Sequence, residues 1–152
     1  MASATSTNYP YVAFMYSVEL KLDASGHGDS DVVAGFNEVS GLAVEIELET
    51  FREGGENRFE HQLAGPAKYP SRLVLKRGLG DSQLLWSWYL KVLGGQIERR
   101  NVTVVLNDPM HADRSWTFFA ACPVKWTGPE LHASTSAVAF ESLELVHRGV
   151  LP

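Results

Sequence analysis

The chain has 152 residues, enough for one domain with its own apolar core, with little room for two. Its 13 basic and 18 acidic residues leave a net charge of −5, which weighs against a nucleic-acid backbone or an anionic bilayer as the main partner. The single cysteine, Cys122, excludes a disulfide framework within the chain, and no run approaches the ~18 apolar residues of a membrane-spanning helix.

Residues 1–10 are rich in Ser, Thr and Ala and read as a flexible arm, with 11–152 as a single domain. The arm lacks the basic and apolar regions of a secretory signal, so synthesis in the cytoplasm is expected. Residues 11–22 have the aromatic and β-branched content of a strand, with Val18, Leu20 and Leu22 alternating against Glu19 and Lys21. Residues 23–31 are all turn-formers and read as an exposed loop. After Phe36, Val39 and a turn at Ser40-Gly41, the run 42–51 alternates with period two. Leu42, Val44, Ile46 and Leu48 take one face; Glu45, Glu47 and Glu49 take the other. The polar, Gly-centred stretch 52–57 reverses the chain and 58–63 returns it, which predicts a β-hairpin over 43–63.

Residues 65–70 (GPAKYP) read as a loop and 72–76 as a short strand. There the period changes. Asp81 or Ser82 can cap a helix running to Leu93, with Gly94-Gly95 just past its end. Leu85, Trp88, Tyr89, Val92 and Leu93 make its apolar stripe. Strands are expected again at 102–106, 115–126 and 137–147, separated by turns at Asn107-Asp108-Pro109 and Gly128-Pro129. Many strands, turn-rich joins and one helix predict a mainly β fold: an antiparallel sandwich or barrel with one packed helix and a long extended hairpin.

Residues with catalytic potential do not converge in the sequence. Of His27, His61, His111, His132 and His147, none stands at a zinc-motif spacing. His111-Ala112-Asp113 offers two ligand types but lies in an apparent turn beside Pro109, so a solvated turn is the better reading. Asp23, Asp29 and Asp31 lack calcium-loop spacing and its closing Glu. Cys122, in an apolar run, reads as a buried small hydrophobe. Gly78-Leu79-Gly80 precedes the helix without the Gly-Lys-Ser/Thr of a phosphate loop. Trp86, Trp88, Trp116 and Trp126 fit core or subunit-interface packing better than a sugar platform. No metal, cofactor or catalytic site is expected. The acidic face Glu45, Glu47, Glu49 fits either a solvated sheet face or the wall of a water-filled channel, and periodicity alone does not separate the two.

An ordered set of short motifs runs through the chain. It comprises Phe36-x-x-Val39-Ser40-Gly41-Leu42, Phe51-Arg52-Glu53-Gly54-Gly55-Glu56-Asn57, Gly65-Pro66-x-Lys68-Tyr69-Pro70 and Leu73-Val74-Leu75-Lys76-Arg77-Gly78-Leu79. It continues with Leu85-Trp86-x-Trp88, Arg99-Arg100-Asn101-Val102, Pro123-Val124-Lys125-Trp126 and Glu141-Ser142-Leu143-Glu144-Leu145-Val146-His147. In this order and spacing the chain resembles the T4-like phage tail tube family, and within it the inner tube proteins of extracellular contractile injection systems of the antifeeding-prophage and Photorhabdus virulence cassette type. The likeness runs from about residue 11 to 151. His132 and Arg148, and the turn carrying Pro109, Met110 and His111, depart from the family pattern locally.

The resemblance implies a non-enzymatic structural subunit, a homo-hexamer whose rings stack into a hollow tube. It implies a contractile sheath, baseplate and tube-terminating proteins as partners, and protein cargo in the lumen. It requires no nucleic acid and no stable membrane insertion. It also implies a tube made in the cytoplasm and assembled in a phage-tail-like particle that can act outside the cell. By position, Glu45, Glu47, Glu49, Phe51, Arg52, Glu53, Glu56, Asn57 and Arg58 become candidate lumen or subunit-interface residues. The Trp86/Trp88 helix would pack outside the barrel, toward the sheath. Two alternatives share the fold: a tube-initiating paralogue at the baseplate end, and a secreted ring of the type VI kind.

Overall fold

The computed structural model describes residues 10–21, 30–33, 35–55, 58–69, 72–79 and 83–151. Ten strands and one helix follow in the order β1 (Tyr16–Lys21), β2 (Ser30–Val33), β3 (Phe36–Ser40), β4 (Glu45–Phe51), β5 (His61–Lys68), β6 (Leu73–Gly78), α1 (Leu84–Leu93), β7 (Arg100–Leu106), β8 (Arg114–Thr127), β9 (Phe140–Val146) and β10 (Gly149–Leu151). All strand pairs are antiparallel.

The main sheet runs β2-β1-β7-β8-β9-β6-β3, with β10 beside β8. It curls around one core through β8. The first half of β8 pairs with β7 and β10, and its second half pairs with β9. The registers place an extra residue on β8 twice, between the partners of Arg100 and Val102 and again between Pro123 and Lys125. Each bulge bends the strand and increases its twist. Pro123, with no N–H to give, sits beside the second break. Ala120 takes a left-handed φ of 50° at the first. The sheet ends at β2 and β3 without those edges pairing among the described residues, so the expected barrel is a curled, open sheet. Tyr16 spans the gap by donating from its hydroxyl to the Phe36 carbonyl at 3.0 Å.

Alternate residues of the curled sheet fill its inside: Val18 and Leu20, Leu73 and Leu75, Val102 and Val104, Leu143 and Leu145, with Phe118 and Ala121. Helix α1 lies against β8 and adds Leu85 and Trp88 to this core. Trp88 is fully buried, and its indole N–H donates to the Glu98 carbonyl at 2.8 Å. Tyr89 and Val92 complete the expected stripe, but Leu93 is exposed and falls outside it. Gln83 stands at the helix N-cap, while Asp81 and Ser82 lie outside the described residues.

Several boundaries differ from the sequence reading. The first strand begins at Tyr16, because the chain turns at 13–14 before it joins β7. Asp31, assigned to a loop, lies in β2; Asp23 and Asp29 are outside the described residues. The last long strand begins at Phe140 instead of 137. The stretch 65–70, read as a loop, belongs to β5 as far as Lys68. Gly65 and Pro66 fall in a bulge opposite Glu47 in a strand with one free edge, where a missing N–H costs no ladder bond.

Candidate functional site

Among the described residues, strands β4 and β5 pair only with each other. Their register sets Glu45 opposite Lys68, Ile46 opposite Ala67, Leu48 opposite Ala64, Glu49 opposite Leu63 and Phe51 opposite His61. Opposed residues share a face. One face is therefore apolar over Ile46 and Ala67, then Leu48 and Ala64, and ends in the polar pair Thr50 and Gln62. The other carries Glu45 and Lys68, Glu47, Glu49 and Leu63, then Phe51 and His61. The alternation read from the sequence is thus present, and the hairpin is longer at its returning end than the expected 43–63.

Among the described residues nothing covers the apolar face. Ile46 is 54% exposed, Leu48 61% and Val44 58%. A two-stranded hairpin is marginal by itself in water, and one with a bare apolar face and two unpaired edges is a template for another chain. At its root lies an apolar groove lined by Tyr16, Val39, Leu42, Leu106 and Trp116. Leu42 of the groove stands two residues before Val44, where the chain enters the hairpin.

The sequence-derived candidates fall along this hairpin. Glu45, Glu47 and Glu49 are exposed on its polar face. Glu47 is engaged by Lys68 at 2.7 Å across the bulge, whereas Glu45 and Glu49 have no ion pair among the described residues. Phe51 ends β4, 56% exposed. In the reversal, Arg52 meets Glu60 at 3.3 Å and Glu53 lies 3.7 Å from His61. Arg58 is exposed, and Glu56 and Asn57 lie outside the described residues.

Two anchors fix the hairpin to the body; the sequence reading offered the first only as a turn at Ser40-Gly41 and did not offer the second. Gly41 has φ 92°, and a side chain there would overlap the Arg72 carbonyl; the invitation to a turn at Ser40-Gly41 was the only local sign. On the way out, the Tyr69 ring packs edge-on against His147, with centroids 5.4 Å apart, and its hydroxyl lies over Gly149. No local pattern links residues so far apart in the chain.

The other chemical candidates are accounted for by packing. His111 Nδ1 bonds Asp108 at 2.9 Å, and the Met110 N–H bonds the same carboxylate, closing the β7–β8 turn. No group of three metal-ligating side chains occurs among the described residues. Cys122 is buried in β8. Trp86 is 39% exposed and packs on Trp126 and Tyr89. A buried ion pair, Arg77 to Glu141 at 2.6 Å, also receives the Trp126 indole N–H at 3.1 Å.

A curled antiparallel sheet with one packed helix and a free amphipathic hairpin defines a β-rich structural tube protein. The chain belongs to the T4-like virus tail tube protein gp19 family, whose model matches residues 12–151. Among solved structures it is similar to a component of the anti-feeding prophage baseplate, seen by six-fold symmetrised cryo-EM, at 28% identity over 94% of this chain and 95% of that one, TM-score 0.83. It is similar to a chain of an extracellular contractile injection system, the PVC sheath-tube complex in its extended state, at 20% identity over 99% and 97%, TM-score 0.78. The fold is also shared with Hcp1 from Flavobacterium johnsoniae, at 16% identity over 91% and 94%, TM-score 0.51. No curated protein matches the chain. No helix among the described residues is long and apolar enough to cross a membrane.

Proposed function

We propose that this chain is the inner tube subunit of a contractile, phage-tail-like injection system. Six copies form a ring, rings stack into a hollow conduit, and a surrounding sheath drives it through a target envelope. The observation that carries this reading is the uncovered amphipathic hairpin on a tail tube fold. Its free edges pair with neighbouring copies until the ring closes, its apolar face packs on them, and Glu45 and Glu49 remain for the lumen. Glu47, already bridged to Lys68, stiffens the hairpin. The exposed reversal at Phe51, Arg52, Glu53 and Arg58 meets the next subunit or ring. Sheath, baseplate and tube-terminating proteins are the partners, the lumen takes protein cargo, and the chain acts mechanically, without catalysis.

Residues 11–152 act as one tube domain. The tube is made in the cytoplasm and works within a particle that acts outside the cell. A second reading has one observation in its favour: the similar structure of higher identity, 28% against 20%, comes from a baseplate. That fits a tube-initiating paralogue of the same fold. Negative-stain electron microscopy of the purified protein, beside particles from the native lysate, tests both readings. Stacked open rings, and sheathed particles that lose their tube when the gene is deleted, are expected. Empty-tubed particles with an intact baseplate favour the main tube; particles that fail to start any tube favour the initiator. A monomer that never forms rings, with intact particles in the deletion strain, overturns both.

A further inference from the structure

The described histidines fall into two groups. His61, His111 and His132 each stand beside a carboxylate, from Glu53 at 3.7 Å, Asp108 at 2.9 Å and Glu130 at 3.7 Å, so an imidazolium at these places meets an opposite charge. His147 has no such partner among the described residues. Both its ring nitrogens are shielded from solvent, and neither meets a hydrogen-bond partner in good geometry. Its ring lies edge-on between Phe118, at 4.9 Å, and Tyr69, at 5.4 Å.

The place of this ring in the fold matters as much as its surroundings. His147 sits between β9 and β10, where the Arg148 N–H bonds the Phe119 carbonyl. Tyr69 is the first residue after β5, and its hydroxyl closes over Gly149. The imidazole is therefore the seat of the hairpin's outgoing strand. Among the described groups around it, only the Gly149 backbone favours an added proton, and no carboxylate does. The hairpin exit contributes the Tyr69 phenol and β8 the uncharged Phe118. The start of β10 contributes Gly149, its first residue, and the exposed Arg148 stands next to His147 in the chain.

We propose that Tyr69 on His147 is an acid-sensitive clamp: protonation of the imidazole unseats Tyr69 and frees the β4–β5 hairpin while the curled sheet stays folded. Burial holds the His147 ring below its ordinary value of 6.5, and the Gly149 backbone offsets only part of this. A ring that charges reluctantly where it sits favours leaving that place as the pH falls below 6.5. The consequence for assembly rests on the reading of the hairpin as the ring-joining element: mild acid then weakens rings and tubes, or stops them from forming.

The clamp is tested by hydrogen exchange on the purified full chain, wild type and His147→Phe, between about pH 7.5 and about pH 5, with intrinsic rates divided out. Phenylalanine keeps a ring between Phe118 and Tyr69 and stays neutral throughout. In the wild type, opening of 43–69 is expected to increase below about pH 6.5 by up to about tenfold per pH unit, with β7 and β8 level. His147→Phe removes that slope, and Tyr69→Phe, which keeps the ring, retains it. Should His147→Phe not fold at neutral pH, His147→Gln gives the same comparison. An equal slope in wild type and variant, or loss of protection across the whole sheet at once, overturns the clamp. Rings seen at about pH 7.5 by electron microscopy test the assembly reading separately, since the exchange result stands whether or not rings form.

Discussion

Ala120 is the residue on which the two halves of the sheet turn. A left-handed alanine costs roughly 1–2 kcal/mol, so something must hold it there. The Asn101 side-chain oxygen accepts the Ala120 N–H at 3.0 Å, and the Arg99 guanidinium donates to the Ala120 carbonyl at 3.0 Å. Arg99 and Asn101 flank Arg100, which lies over the Trp88 ring at 5.4 Å and bonds Glu98. The Arg99-Arg100-Asn101 string thus locks the bend from two sides and ties it to the helix. Asn101 is buried, so Asn101→Ala leaves the Ala120 N–H without its partner and is expected to cost about 1–3 kcal/mol in urea denaturation. Ala120→Gly removes the side-chain strain and is expected to be neutral or stabilising by up to about 1 kcal/mol. A melt in which Ala120→Gly destabilises strongly would show that the bend is not strained.

The β4–β5 hairpin obeys different rules from the strands of the main sheet. In β7 or β9, apolar residues point into a core made by the same chain; in β4, the same alternation meets no core among the described residues. Replacing Ile46 and Leu48 by Thr is expected to leave the monomer's unfolding free energy within about 0.5 kcal/mol, because these side chains are exposed in it. The same pair of changes is expected to abolish ring formation in sedimentation velocity. Loss of stability in the monomer instead would mean that the hairpin folds back on its own body. The faces of this hairpin were legible in the sequence because strand parity is set by the backbone alone. Its returning end was not: Gly65-Pro66 has the chemistry of a turn, and only pairing with Glu47 reveals a bulge. β10 is three residues long, too short for any period, and Ala120 bends the chain without a turn residue. The acidic face was legible as a pattern, but what it looks onto depends on other copies, about which one chain's alternation carries no information.

At the scale of the whole molecule, a few carboxylates join elements that burial alone would leave loosely coupled. Glu144 on β9 takes Arg72 at 2.9 Å and Lys125 at 3.2 Å, linking the start of β6 to β8. Those hydrogen bonds, Arg72 first, hold it below its ordinary value of 4.5. Glu98 feels burial most, which would raise it, but its bonds to Arg100 and Lys91 together outweigh that and hold it low, tying β7 to the helix. Asp108 is held below 3.8 by the Met110 N–H and then by His111. A carboxylate that resists protonation in the fold binds protons more readily unfolded, so its contribution is full above its ordinary value and lost as pH falls through the folded one. His147 has the same sign: a depressed folded value means the unfolded chain takes up the proton first, and stability declines as pH drops below 6.5. The unfolding free energy against pH should therefore show a plateau above neutrality, a shallow decline below 6.5, and a steeper one below 4.5. Glu144→Gln should make the steep limb less steep, with Glu98 and Asp108 still contributing, and leave the shallow one, whereas His147→Phe should remove the shallow limb and leave the steep one. High salt should weaken the Glu144 effect most, because Arg72 and Lys125 are both more than half exposed and their charges are screened within a Debye length of roughly 3 Å at 1 M. Urea titrations at stepped pH measure both limbs on the same sample, and an acid limb untouched by Glu144→Gln would mean that Glu144 does not couple β6 to β8.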